Sequence, residues 1–353
     1  MSLFNLYTAI RPLIFSLNPE TAHHLALGSA NLLANCTYFK NCIRQNCPDT
    51  PISLMGLTIK NPIGLAAGLD KNGEYINALA LLGFGFIEVG TVTPKPQDGK
   101  PQPRLFRIPQ AHALINRMGF NNQGLEKFIQ NVKQSSFQKD GGILGLNIGK
   151  NASTPIEQAI DDYLIGLEGV YPYADYITIN ISSPNTANLR SLQTGHELVS
   201  LLTALTQKRE ELCDKLGYYK PIVVKIAPDL DNEAIKSIAE LLQIHHIDGV
   251  IATNTTLDKS RVAQFTHGHE DGGLSGQPVF EKSNEVIRSL RETLGKDYPI
   301  IGVGGIMNAQ QAVAKLQAGA NAIQLYTGLI YQGPTLIKEC ALAIQKYLAQ
   351  QTN

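Results

Sequence analysis

Amides, lysines and hydroxyls recur in this chain at one kind of place, in or just after a short apolar run. Ala66-Ala67-Gly68 leads into Asp70-Lys71-Asn72; Gly90-Thr91, Asn147 and Asn180 each close an apolar segment; and Lys225 sits inside IVVKI. Thr253-Asn254-Thr255, Gly304-Gly305 and Tyr326-Thr327-Gly328 follow three more such runs. One asparagine at a strand end often does no more than close a turn. Repetition at successive segments points to a shared ligand. Lys225 is the most informative of the set, because burying an unpaired ammonium costs several kcal/mol or shifts its pKa. Amides hydrogen-bond the edge of a flat, heteroatom-rich ring in both senses, an ammonium favours negative charge on it, and glycine-rich backbone offers N–H groups to phosphate. That chemistry suits a flavin monophosphate better than a sugar. No carboxylate pair stands at the segment ends as a glycosidase requires, and Glu88, inside FIEVG, is expected to be salt-bridged in the core.

A base is harder to find. NISSPNT at 180–186 offers Ser182, Ser183, Asn185 and Thr186, stiffened by Pro184, yet no Ser-His-Asp arrangement and no GxSxG elbow is legible. A serine base needs surroundings that carry its proton away, so local chemistry leaves the role open.

The elements that must position these residues form a regular alternation. Apolar runs at 63–67, 86–90, 144–148, 176–180, 222–226, 249–252, 300–303 and 322–325 read as strands, and helical patterns at 154–170, 196–215, 231–245, 281–294 and 308–318 fall between them. Buried strands separated by crossovers predict a parallel sheet covered by helices. Eight such units predict an α/β fold, a (β/α)₈ TIM barrel with its ligand rim at the C-terminal strand ends and its phosphate site after strands seven and eight. An open nucleotide-binding sheet would carry GxGxxG after its first strand, and none is present. Two connections, about 91–143 and 253–299, are long enough to be insertions over the rim; the proline-rich PKPQDGKPQPRLFR in the first predicts a hairpin or lid.

Ahead of the barrel, Leu3, Leu6, Tyr7, Ile10, Leu13, Ile14 and Leu17 recur at helical spacing, with Pro12 predicting two short pieces or a kink. Asn18-Pro19 reads as a cap and first position of a second helix. Residues 21–39 contain no Asp, Glu, Lys or Arg, but His23, His24, Asn31 and Asn35 make the stretch too polar to span a bilayer. It packs on the barrel or lies against a membrane surface. The organisation expected is a two-helix element over 1–40, a barrel over 41–345 and a tail over 346–353.

Composition narrows the classes. The 353 residues carry 30 basic and 30 acidic side chains, which gives no general attraction to nucleic acid. Cysteines at 36, 42, 47, 213 and 340 form no CxxC pair and no zinc or iron–sulfur spacing, which argues against a metal site and for a reducing compartment.

The longer motifs, MGLTIKNPIGLAAGLDKNGE (55–74), EVGTVTPKPQDGKPQPRLFR (88–107), LINRMGFNNQG (114–124), LGLNIGKN (144–151), ITINISSPNT (177–186), VVKIAPDL (223–230), DGVIATNTT (248–256), GGLSGQP (272–278), IGVGGI (301–306) and YTGLIYQGP (326–334), closely resemble the dihydroorotate dehydrogenases in their membrane-associated, quinone-using class. The resemblance covers nearly the whole chain and implies oxidation of dihydroorotate to orotate. It assigns the base to Ser183, which takes a proton from C5 while hydride leaves C6 for the flavin. It implies substrate contacts from Lys71, Asn116, Arg117, Met118, Gly119, Phe120, Asn180, Asn185, Asn254 and Thr255. One non-covalent FMN is implied against Ala67, Gly68, Lys71, Thr91, Asn147, Asn180, Lys225, Thr253, Gly276, Gly305, Tyr326 and Thr327. His23, Arg107 and Tyr326 resemble the groups that receive the quinone head, ubiquinone or menaquinone. A monomer held peripherally at the cytoplasmic face of the inner membrane is the corresponding expectation. The readings it leaves behind are an FMN enzyme with a soluble acceptor such as fumarate, a sugar-phosphate barrel, and a non-catalytic membrane-peripheral scaffold.

Overall fold

The computed structural model describes residues 7–36, 40, 41 and 43–351. Leu3, Leu6 and Cys42, singled out above, lie outside them. Two helices open the chain, α1 (Tyr7–Ser16) and α2 (Pro19–Asn35), followed by a hairpin of β1 (Ile52–Leu54) and β2 (Leu57–Ile59). The barrel strands are β3 (Ile63–Leu65), β4 (Phe86–Val92), β7 (Ile143–Ile148), β8 (Tyr176–Asn180), β9 (Ile222–Ile226), β10 (Gly249–Ala252), β12 (Ile300–Val303) and β13 (Ala322–Leu325). They close in chain order through parallel ladders, with β13 returning to β3 at Ile323↔Ile63. Nearly every residue of these strands is buried, as a sheet covered on both faces requires.

Outside the barrel strands lie α3 (Ile76–Ala80), α4 (Leu125–Lys133), α5 (Ala159–Val170), α6 (Gly195–Leu216), α7 (Asn232–Ile244), α8 (Phe280–Leu294), α9 (Ala309–Gln317), α10 (Thr327–Gln332) and α11 (Thr335–Gln351). The last helix runs without a break to Gln351, across the described part of the stretch expected as a tail from 346.

The barrel interior is filled from below. Leu54 and Ile59 of the β1–β2 hairpin cluster with Phe86, Tyr176, Val223, Ile251, Ile301 and Ala322, and so close the N-terminal mouth. Glu88 lies in the barrel interior, and it is hydrogen-bonded rather than salt-bridged as expected. Its carboxylate accepts from Asn147 Nδ2 at 2.8 Å, Gln324 Nε2 at 2.9 Å, Thr178 Oγ1 at 3.0 Å and Tyr176 Oη at 3.1 Å. Four neutral donors satisfy it, and it forms no ion pair among the described residues.

The two insertions meet. The first forms a hairpin of β5 (Leu105–Ile108) and β6 (Ala113–Asn116), and the second adds β11 (Gly273–Gly276) to its free edge, giving a three-stranded antiparallel sheet over the rim.

In the extension, α1 carries Pro12 without being divided into two pieces. Proline removes one intrahelical hydrogen bond, but bonds to the barrel hold the first half: Tyr7 Oη donates to Ile330 O at 2.6 Å and Arg11 Nη1 to Tyr331 O at 2.6 Å. Asn18 caps α2, its Oδ1 accepting from the backbone of Glu20 at 3.0 Å and Thr21 at 3.3 Å. No helix among the described residues is long and apolar enough to cross a membrane.

Candidate active site

The C-terminal strand ends, the rim sheet and the loops between them enclose a cleft of about 1040 Å³ that is open to solvent. Of the residues singled out from sequence, it is lined by Ala67, Gly68, Lys71, Thr91, Asn116, Met118, Gly119, Phe120, Asn180, Ser183, Asn185, Lys225, Thr253, Asn254, Thr255, Gly276, Gly305, Tyr326 and Thr327. They arrive from the ends of several strands and from the two insertions, so closure of the barrel and pairing of the rim sheet bring them together.

Below the cleft runs a directed chain of hydrogen bonds. Asn180 Nδ2 donates to Thr91 Oγ1 at 2.9 Å, Thr91 donates to Asn147 Oδ1 at 2.6 Å, and Asn147 donates to Glu88. A carboxylate only accepts, so Glu88 fixes the sense of every amide in the series. Asn147 is therefore one layer behind the cleft wall, orienting Thr91 rather than lining the space itself. Asn180 Oδ1, left facing the other way, accepts from Ser182 Oγ at 2.9 Å.

The serine loop is held from two sides. Ser183 is almost completely buried, and its Oγ accepts the backbone N–H of Asn185 at 3.2 Å. Asn185 Nδ2 reaches Asn116 O at 3.2 Å, which ties the loop to the rim sheet. Arg190 bridges the loops after β8 and β10, donating to Ser182 O at 2.9 Å and Thr255 O at 2.7 Å. That clamp has no signature in the sequence, since an arginine outside every apolar run gives no signal of its own.

Two lysines face the cleft. Burial lowers the Lys71 pKa to about 8, with Glu20 and Asp70 opposing the fall and Arg104 adding to it. Burial also lowers Lys225, with Glu88 opposing. Lys225 makes no hydrogen bond among the described residues. Asp70 itself turns inward to the backbone N–H groups of Glu74 and Tyr75 at 3.0 and 2.7 Å, and shapes the loop. Burial raises its carboxyl to about 6.

Some expected members point elsewhere. The Arg117 guanidinium leaves the cleft to pair with Glu270 at 2.8 Å and to donate to Pro103 O, over the Phe106 ring. Its charge is better solvated at that edge than inside. Gln324, Ser275, Val279, Val303 and Ile306 line the cleft without having been singled out. Gln324 carried the same signal as Lys225, a polar side chain inside an apolar strand.

On the extension side, an apolar cluster of Leu114, Met307 and Tyr331 packs with Phe15, Leu105, Tyr326 and Ile330. Tyr326 belongs to both this cluster and the cleft wall, and burial pushes its hydroxyl up to about 12. Arg107 lies 4.6 Å from the Phe15 ring centroid and donates to Phe15 O at 3.1 Å and Leu17 O at 2.8 Å. His23 is pushed down to about 3 by burial, then by the nearby charges of Lys71 and His24.

The cleft wall has the features of a flavin site. Gln324 Oε1 and Thr255 Oγ1 are buried in it without partners, acceptors that a ring N–H or a substrate amide would satisfy. Lys225 offers a cation at the floor, and Gly304-Gly305 with Thr327 offers small, polar backbone at one end. Among the described residues no group of three or more His, Cys, Asp or Glu could hold a metal ion.

The sequence matches a family model described as dihydroorotate dehydrogenase over residues 51–348. It is 58% identical over 338 residues to the dihydroorotate dehydrogenase (quinone) of Bordetella avium, covering 96% of this chain and 97% of that protein. Against the protein of the same description from Acinetobacter baylyi it is 56% identical, covering 96% and 99%. The fold is similar to the crystal structure of Eimeria tenella DHODH in complex with ferulenol, with a TM-score of 0.87, 35% identity and 96% of each chain covered.

Proposed function

The chain belongs to the dihydroorotate dehydrogenase family, and we propose that its rim cleft is the catalytic centre, with Ser183 as base and one FMN held without a covalent bond. The enzyme oxidises dihydroorotate to orotate in an FMN-dependent, quinone-linked reaction of pyrimidine biosynthesis. The observation that carries the assignment is the meeting of Lys71, Asn116, Ser183, Asn185, Lys225 and Asn254 in one cleft.

FMN, when bound, would supply the two-electron chemistry that links removal of hydride from C6 of the substrate to reduction of the quinone. The chain does the rest. Lys71 meets the substrate carboxylate, and the amides of Asn116, Asn180, Asn185 and Asn254, with Thr255 and the backbone of 117–120, meet its cyclic ureide, so the reacting carbons are presented in one orientation. Ser183 Oγ takes the C5 proton as its own hydroxyl proton passes to water in the open cleft, and the Asn185 N–H that Oγ accepts stabilises the negative charge it carries in between. Lys225 favours negative charge at the pyrimidine end of the flavin. Ala67, Gly68, Thr91, Thr253, Gly276, Gly305, Tyr326 and Thr327 complete the cradle, with Asn147 holding Thr91 from behind.

His23, Arg107 and Tyr326 would receive the quinone head, ubiquinone or menaquinone, where the apolar cluster beneath α1 reaches the cleft wall. The extension exposes Leu13, Leu25 and Leu32 at 70, 55 and 75%. That apolar exposure supports peripheral contact with lipid; the cytoplasmic face of the inner membrane and a monomeric state are the remaining parts of the proposal.

Ser183→Ala tests the assignment. FMN should stay bound while its reduction by dihydroorotate falls by about 10²–10⁴-fold, the range for loss of a positioned base. Reduction at the wild-type rate would remove Ser183 from the role.

A further inference from the structure

Behind the glycine loop that follows β12 sits a lysine with no part in the reaction described above. Lys315, near the end of α9, is completely buried. Its Nζ donates one hydrogen bond, to Ser283 Oγ at 3.0 Å, and stands 4.8 Å from the centroid of the Phe280 ring. No carboxylate among the described residues lies within 4.0 Å of it. Burial lowers its pKa to about 7, with Glu281 opposing the fall and Arg288 adding to it. One neutral hydrogen bond and one ring are poor compensation for a desolvated ammonium.

Its neighbours form the back wall of the loop. A methyl group at Gly302 would meet Lys315 Cγ at 2.5 Å, one at Gly304 would meet Ser283 Cβ at 3.2 Å, and one at Gly305 would meet Phe280 Cβ at 2.5 Å. Gly304 and Gly305 also have φ of +122° and +75°, which L side chains rarely adopt. The same two glycines line the cleft. The loop is thus a single layer of side-chain-free backbone, with the cleft on one side and the Lys315–Ser283–Phe280 group on the other.

We propose that Lys315 is a positioning residue for the phosphate of FMN, its charge acting through the glycine loop on a dianion that it does not touch. The proposal rests on the reading of the cleft as the FMN site. It explains why a costly charge is kept there: the loop must be bare glycine to let the backbone approach phosphate, so no cation can be mounted on the loop itself. A phosphate in the cleft and the buried ammonium would stabilise each other through a medium that screens poorly.

The test compares FMN with riboflavin, which has the same ring and no phosphate. Full-length protein, stripped of flavin, is titrated with each and followed by flavin fluorescence. In Lys315→Met, FMN affinity should fall about tenfold while riboflavin affinity stays within twofold, and the stripped variant should melt above wild type because a desolvated charge is gone. A structural lysine would weaken both flavins together and lower the melting temperature, and either result overturns the proposal. Should the variant fail to fold, calorimetry on wild type at pH 8 in buffers of different ionisation enthalpy gives the answer. FMN binding should take up more protons than riboflavin binding, and equal uptake overturns the proposal. If wild type binds neither flavin, the FMN assignment itself fails.

Discussion

Arg104 grips Glu20 through both Nε and Nη2, each 3.0 Å from the same carboxylate oxygen, and so fastens α2 to the segment leading into the rim sheet. The same arginine donates to Asp98 O at 2.6 Å and Lys100 O at 2.8 Å, and its own carbonyl accepts from Arg117 N at 2.8 Å. Lys100 N in turn bonds Met118 O at 3.1 Å, and Gln97 Nε2 bonds Gly119 O at 2.9 Å. One ion pair therefore bears on both the extension and the loop that lines the cleft.

Removing its carboxylate should loosen the first more than the second. Glu20→Ala leaves Arg104 largely buried with carbonyl partners only, a loss of about 3 kcal/mol, the low end for a mostly shielded pair. Limited proteolysis should cut the extension faster, and quinone-dependent flavin reoxidation should slow about tenfold. Reduction by dihydroorotate should change less than threefold. Equal slowing of both half-reactions would place the main effect in the cleft loop.

Lys71 gives the reaction an alkaline limb. Below about pH 8 it is protonated and attracts the substrate carboxylate; as pH rises through that value the charge and the attraction are lost. The kcat/KM for dihydroorotate should therefore fall above pH 8, mainly through KM. Lys71→Met should start lower and show no such limb, which steady-state rates between pH 6 and 10 would reveal.

The carboxylate of Glu88 should matter to stability as well as to the cleft. In Glu88→Gln the new amide nitrogen faces donors, so one or two hydrogen bonds are lost or must reverse, at a cost of about 2 kcal/mol. Melting should come a few degrees lower. Because Asn147, Thr91 and Asn180 take their sense from Glu88, FMN affinity should fall as well, measured by flavin release on dilution.

The hairpin at the barrel floor makes a separate prediction. Leu54→Ala opens a void among Phe86, Tyr176 and Val223 and should cost about 2–5 kcal/mol. Denaturant unfolding should shift to lower concentration while KM for dihydroorotate stays unchanged, since the floor lies at the other end of the barrel.

Much of this architecture is legible in the residues, for a physical reason. A barrel strand covered on both faces must be apolar throughout, so Lys225 within IVVKI and the asparagines at strand ends stand out as departures. Gln324 within AIQL departs in the same way, but an uncharged amide contrasts less with its neighbours than an ammonium does. The β1–β2 hairpin escaped because two three-residue strands are too short for alternation to show. Glu88 was visible, but its four neutral donors come from β7, β8 and β13, and only closure of the barrel joins them. Arg117 could be placed by its motif, while the direction of its side chain depended on Glu270 in the other insertion. Pro12 signals only its local propensity, while Tyr7 and Arg11 hold the helix by contacts more than 300 residues away in sequence.

The most direct measurement is anaerobic stopped-flow absorbance of the purified flavoprotein, adding dihydroorotate first and a short-tailed ubiquinone second. Dihydroorotate should bleach the oxidised flavin band, and quinone should restore it in wild-type protein. In protein lacking residues 1–36 the bleaching should persist and the restoration should slow by about tenfold or more, with the apolar approach to Tyr326 removed. Restoration at the wild-type rate without the extension would contradict a quinone site formed by His23, Arg107 and Tyr326. Absence of bleaching in wild-type protein loaded with FMN would contradict the assignment of the cleft itself.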